Sequence, residues 1–238
     1  MTPSLETRAK RHYLGAKVAS SPEGFTVELD GRSVRSVGGR RMVLPKEALA
    51  RRIADEWNAQ EDLIDFESMP ATRFARAALD NLPDVREDLA KRITDYAGDD
   101  LLCYFAEAPP ELVRREQASW EPILVWAEVV LGQPIGRSCD IVHHEQASDM
   151  LAAVEAKALA LSDVELAGLA FAAQLLGSAF LALALQARRM TGAEAFAASR
   201  IDEAFQAEMW GQDAEDVRRA CAIEADVEML DHWFEALA

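Results

Sequence analysis

The sequence predicts an α+β fold: a small antiparallel β-rich N-terminal domain followed by a larger all-α helical domain. Three observations carry that prediction. Apolar and polar residues alternate with a period of two ahead of Pro45. The period then changes to that of a helix and stays there. The two kinds of element are also segregated, strands first and helices after, as in α+β and two-domain chains. A chain of 238 residues suits one large domain or two modest ones. The turn-rich stretch near residues 64–82 suggests the boundary, giving a β-rich domain at 1–75, with one or two helices, and a helical one at 76–238.

In "GFTVELDGRSVRSV", Phe25, Val27 and Leu29 alternate with Thr26, Glu28 and Asp30, so one strand face is expected to be buried. Asp30-Gly31 is a hairpin-turn signal, because Gly tolerates positive φ. "VGGRRMVLP" offers a second turn at Gly38-Gly39 and a short third strand ending before Pro45. Leu49, Ile53 and Trp57 then fall at i, i+4 and i+8, one stripe of a helix. Pro70 can open a helix through "ATRFARAALDNL" that Pro83 ends. "PDVREDLAKRITDYAG" is a further helix. "PPELVRREQASWEPILVWAEVVLG" is a long one, expected to break or kink at Pro122. "QPIGRSCDIVHHEQ" reads as an irregular link. Ser162 with Glu165, and Thr191 with Glu194, spell two capping boxes. A last helix spans about Asp213 to Leu237.

Composition narrows the function classes. Half of the residues are apolar, enough for a packed core. The net charge of −16 argues against nucleic acid or an anionic membrane, since phosphate contacts need clustered Lys and Arg. That charge is uneven: net +6 over residues 1–52 and net −22 over 53–238, which points to two functional surfaces. Cys103, Cys139 and Cys221 are far apart and odd in number, so neither a disulfide framework nor a structural zinc site is expected. A reducing compartment fits, and "MTPSLETRAKRHYLGAK" has no apolar core of a secretory signal. Leu166 to Ala187 runs 22 residues without a charge. Its alanines, glycines and glutamines favour a buried core helix over a membrane span.

Catalytic signatures are missing. The chain has no G-x-x-x-x-G-K-[ST], no G-x-G-x-x-G after a strand and no G-x-S-x-G. Cys103 lies among large apolar residues and reads as a buried thiol. Asp140 with His143, and Glu228 with His232, could form a di-metal site if their helices faced one another. That alternative, a helical metalloenzyme, lacks the Glu-then-His spacing usual for such sites, so no metal or other cofactor is expected.

The segment "RIDEAFQAEMWGQDAED", Arg200 to Asp216, stands apart. As a helix it stacks Ile201, Phe205 and Met209 on an expected core face. Glu203, Gln206 and Trp210, at spacings of three and seven, form an acid–amide–aromatic strip beside that face, and Asp202, Gln206 and Asp213 share a neighbouring stripe. Gly211 ends the helix and Asp213 can cap the next. Two readings stay open: acids for solubility with Trp210 packed between helices, or a protein-binding patch in which Trp anchors and carboxylates select a basic partner. Trp57, between Glu56 and Gln60, continues the Leu49–Ile53 stripe and is expected in the core at the domain junction.

Taken together, "GFTVELDGR", "EWNAQEDLIDFESMPATR", "YAGDDLLCYFAEAPPELV", "GSAFLALAL" and "RIDEAFQAEMWGQDAED" resemble the ATP synthase assembly chaperones that bind the alpha subunit of the catalytic head. The motifs cover nearly the whole chain. "RSV" after the second strand and "SCDIVHHEQ" depart from the family's usual Thr-Pro and Gly-rich forms. The resemblance implies a β-rich domain before an all-helical one, and a buried helix at Leu166–Ala187. It implies no enzyme activity, no nucleotide, no cofactor and no membrane insertion. The partner would be the unassembled alpha subunit, held by a monomeric chaperone until the beta subunit replaces it. A general adaptor with another client is the alternative. Location would be the bacterial cytoplasm, or the mitochondrial matrix for eukaryotic relatives. The implied client-facing residues are Asp202, Glu203, Gln206, Trp210, Gly211, Asp213 and Glu215, with Trp57 and Gln60 structural.

Overall fold

Asp30 and Gly31 both take positive φ, 47° and 84°, and so close the two-residue hairpin that the sequence signals. The hairpin belongs to a three-stranded antiparallel sheet of order β1 (Ala16–Ser21), β2 (Gly24–Leu29) and β3 (Arg32–Ser33). Val18 pairs with Val27, and Leu29 with Arg32. The Asp30 carboxylate accepts the Leu14 N–H at 2.8 Å and so pins the approach to β1 to the same turn. These coordinates, a computed structural model, describe residues 9–36, 38–78, 82–139 and 144–238, except for the side chains of 82–84. Their contacts divide the chain into two units, Met1–Leu82 with Glu235–Ala238, and Pro83–Phe234.

In the first unit the expected alternation along β2 is only partly kept. Thr26 and Val27 are both fully buried, while Phe25 and Leu29 are half-buried. Neighbouring strand residues point to opposite faces, so both faces of the sheet are covered at its middle. Helix α1 (Glu47–Asn58) packs against β1 and β2. The expected strand before Pro45 is not a ladder. It makes isolated bridges, Arg35 to Arg41 and Phe25 to Leu44, the latter through two 2.8 Å hydrogen bonds. The turn before it is present, with Gly39 at φ 82°. Leu49, Ile53 and Trp57 are buried along α1, as their spacing predicts. Helix α2 (Pro70–Ala78) opens at its proline. Its first N–H groups are capped from α1, where the Glu56 carboxylate accepts from Ala71 at 2.8 Å and Thr72 at 2.7 Å.

The second unit is helical. It holds α3 (Leu82–Gly98), α4 (Pro110–Leu131), α5 (Ser148–Leu159), α6 (Asp163–Leu176), α7 (Ala179–Gln186), α8 (Gly192–Ser199), α9 (Ile201–Trp210) and α10 (Ala214–Leu237), the last helix reaching into the residues grouped with the first unit. Three expectations need correction. Pro83 does not end α2. It lies in the first turn of α3, where its missing N–H removes no helical hydrogen bond. Pro122 does not break α4, which runs through it for 22 residues. And Leu166–Ala187 is two helices rather than one.

The break between α6 and α7 has a physical cause. Gly177 takes the left-handed conformation at φ 63° and ends α6. Ser178 caps α7, its Oγ accepting the Leu181 N–H at 3.0 Å. Asp100, fully buried, locks the corner by accepting N–H groups from Leu102 at 3.0 Å and Phe180 at 3.2 Å. Burial pushes its carboxyl up to about 7, against the pull of these donors and of Ser178. Residues Ala179–Leu185 are then buried all round, the core of this unit. None of the described helices is long and apolar enough to cross a membrane. Both predicted capping boxes form, at α6 and at α8.

Candidate functional site

Helix α9 begins directly after α8, with Arg200 the one residue between them, and has no buried residue. The core face expected along it is therefore absent: Ile201 and Phe205 are half-buried and Met209 is 63% exposed. The reason lies in what holds α9. Its neighbour is α4, and the attachment is polar and aromatic. The Arg115 guanidinium bonds Glu208 at 2.8 Å, and it lies over the Phe205 ring at 5.4 Å. Asp202 hydrogen-bonds the buried carboxyl of Glu116, which also accepts the Ala106 N–H at 2.7 Å. Burial, and next the Asp202 carboxyl, raise the Glu116 pKa.

With Asp202, Phe205 and Glu208 turned to α4, the other flank of α9 is open. Glu203, Gln206 and Trp210 line a groove of about 510 Å³ together with Arg200, Asp216 and Arg219. Trp210 is 80% exposed, which rules out the reading in which it packs between helices. An exposed indole beside an exposed methionine is an unusual surface, and Val217 adds a third exposed apolar side chain nearby in sequence.

The acids are less free than their number suggests. Glu203 pairs with Arg200 at 2.9 Å. Glu215 and Asp216 lie 3.6 and 3.9 Å from Arg219. Gly211 and Asp213 have local duties. Gly211 takes φ 81° where α9 stops. The Asp213 carboxylate accepts the N–H groups of Asp216 and Glu215 at 2.9 and 2.7 Å, and those bonds hold its pKa below the usual range. So of the seven residues singled out by sequence, Glu203, Gln206, Trp210 and Gly211 line the groove, Asp202 faces α4, and Asp213 and Glu215 sit at the start of α10. Sequence reasoning missed Arg200, Asp216 and Arg219. The i, i+3 and i, i+4 spacings of opposite charge were the available signal.

Trp57 and Gln60 are far from this site in sequence and belong to the first unit. The Trp57 ring meets Tyr13 and Phe66 edge-on at 5.6 and 5.9 Å, and its carbonyl accepts the Tyr13 hydroxyl at 2.6 Å. Gln60 is buried, donating to Glu56 O and Ser68 Oγ at 3.1 Å each and accepting from the Asp65 N–H at 2.7 Å.

A family model described as ATP12 chaperone protein matches residues 10–128, half of the chain. This chain belongs to the ATP12 chaperone family. The crystal structure of Atp12 from Paracoccus denitrificans is similar over 97% of this chain and 99% of that one, at 34% identity and a TM-score of 0.90. An aspartate-to-lysine mutant of the P. denitrificans protein matches at 33% identity and 0.89, over 97% and 98%. A protein from Agrobacterium tumefaciens matches at 34% and 0.90, over 96% of this chain and 86% of that one.

Among the described residues no group of three or more His, Cys, Asp or Glu is placed to hold a metal. Glu228 and His232 are 3.9 Å apart, while Asp140 and His143 lie outside the described residues. The cysteines are unpaired. Cys103 is buried, and burial raises its thiol pKa, so the thiolate a nucleophile needs is suppressed.

Proposed function

We propose that this protein is an ATP-independent assembly chaperone of the F-type ATP synthase. It binds the unassembled alpha subunit through the outer flank of α9 and leaves when the beta subunit takes its place. The single observation that carries the site is Trp210, 80% exposed beside a groove. Exposing a large indole on a folded surface is unfavourable unless a partner covers it. Family membership supports the chaperone role. An obligate ring subunit shows a large apolar interface when alone, and covering it suppresses aggregation by mass action, with no fuel.

In this role Trp210 and Met209 are the apolar anchor. Glu203, Gln206 and Glu215 select the client by charge and hydrogen bonding. Asp202, Gly211 and Asp213 shape the presenting surface. No catalytic step or nucleotide is involved, and the chaperone acts as a monomer in the bacterial cytoplasm, with mitochondrial-matrix counterparts in eukaryotes.

The test is aggregation of unfolded alpha subunit on dilution, followed by light scattering. The protein suppresses scattering at equimolar ratio, and Trp210→Ala together with Glu203→Lys abolishes the suppression. Unchanged suppression by that variant overturns the site. A wild-type protein that has no effect on the alpha subunit overturns the client and favours an adaptor with another partner.

A further inference from the structure

The first unit carries a second surface of opposite character. A groove of about 720 Å³ runs between the chain entering β1, strand β3 and helix α2. Its lining is basic: Lys10, His12, Arg32, Arg35 and Arg76, against the single carboxylate of Asp30. That carboxylate is already engaged by the Leu14 and Gly15 N–H groups. Arg35 donates to the Gly39 carbonyl at 2.7 Å. No carboxylate among the described residues pairs with Lys10, Arg32 or Arg76, in a chain whose net charge is −16.

Two side chains of the groove wall carry buried donors without an acceptor. The Trp57 indole N–H is buried and unpaired, in a side chain only 6% exposed. The Arg76 Nε–H is likewise buried and unpaired. Both side chains pack on one ring: Trp57 lies edge-on to Phe66 at 5.9 Å and the Arg76 guanidinium covers it at 5.0 Å. A buried donor left without an acceptor is costly and rare.

We infer that this groove binds a carboxylate-rich peptide segment of a partner protein, its carboxylates meeting the cationic heads of Lys10, Arg32 and Arg76 beside the Trp57 ring. A peptide fits better than a lone small anion. The cations are spread from the entering chain through β3 to α2, and the groove has the volume of a site for several side chains. Charge complementarity selects the acidic partner. The inference is independent of the α9 surface and of the alpha-subunit reading.

The test uses the full chain with ¹⁵N-labelled tryptophan, titrated at low salt with a polyglutamate peptide, a polylysine peptide and citrate. Trp57→Phe assigns the indole signal. The expected result is that polyglutamate alone moves the Trp57 indole resonance and leaves that of Trp210 in place. Arg76→Gln then weakens the peptide by about tenfold, the scale of one lost charge-assisted hydrogen bond. Arg32→Gln, on an exposed strand residue, weakens it without disturbing the fold. A Trp57 signal that ignores polyglutamate overturns the inference. So does unchanged affinity in both arginine variants with native near-UV dichroism, or equal binding of citrate, which makes the site one for small anions.

Discussion

At the scale of single residues, the fold has left some side chains outside the packing and shut others fully inside it. Trp210 and its neighbours sit outside the packing, so Trp210→Ala is expected to change unfolding free energy by less than about 0.5 kcal/mol. The same change is expected to weaken client binding by about 2 kcal/mol, the cost of losing an aromatic anchor. Chemical denaturation beside a client-binding titration checks the split. Asp100 is the opposite case. Its folded pKa of about 7 lies above the ordinary 3.8, so between those values the folded state holds the extra proton. The stability it contributes is full below 3.8 and lost as pH climbs through about 7. Asp100→Asn should flatten that fall in urea melts between acidic and alkaline buffers. It should also cost about 2 kcal/mol at acidic pH, because an amide NH₂ cannot accept a backbone N–H as either oxygen of the protonated carboxyl can.

At the scale of elements, the corner between α9 and α10 should prove sensitive although it is exposed. Gly211 holds φ 81° with no atom within 4 Å of an added Cβ, so Gly211→Ala is penalised by backbone conformation alone, by about 1 kcal/mol. Asp213→Ala removes both N-terminal bonds of α10, again costing about 1 kcal/mol. Hydrogen exchange in the first turn of α10 should quicken in both variants while α7 stays protected. The attachment of α9 is testable as well. Glu116→Gln replaces a carboxyl pair by an amide facing Asp202, so at alkaline pH the amides of α9 should exchange more slowly than in the native chain. What the sequence shows of these elements follows from local physics. Capping boxes, the Asp30-Gly31 turn and the Leu49–Ile53–Trp57 stripe need only neighbours in the chain, and each is present. The split of Leu166–Ala187 was not legible by hydropathy, because both halves are equally apolar. Gly177-Ser178 held the signal, but the lock comes from Asp100, far away in sequence. Likewise the stripe Ile201, Phe205 and Met209 has helical spacing, yet spacing cannot tell whether anything lies opposite it.

At the scale of the whole molecule, the charge asymmetry read from sequence is expected to give two surfaces with different salt behaviour. The helical unit carries most of the acid, yet around Trp210 the charges are neutralised within the chain: Arg200 by Glu203, Arg115 by Glu208, Arg219 near Glu215 and Asp216. The sequence pattern suggested a patch in which Trp210 anchors and carboxylates select a basic partner; several of those carboxylates are paired within the chain, while Trp210 and Met209 are exposed. In the first unit, no carboxylate among the described residues pairs with Lys10, Arg32 or Arg76, which line its groove. Exposed charges are screened within about 8 Å at physiological ionic strength, and burial of an indole is not. Client affinity at the α9 surface is therefore expected to fall only a few-fold between about 50 and 500 mM salt, with the loss in association rate. Acidic-peptide affinity at the first-unit groove should fall at least about tenfold over the same range. Titrations of both ligands at three salt concentrations separate the cases. A steep salt dependence at α9 would mean that binding opens the Arg200–Glu203 and Arg219 pairs and uses their carboxylates directly. Glu203→Gln would then reduce that slope while Trp210→Ala would not.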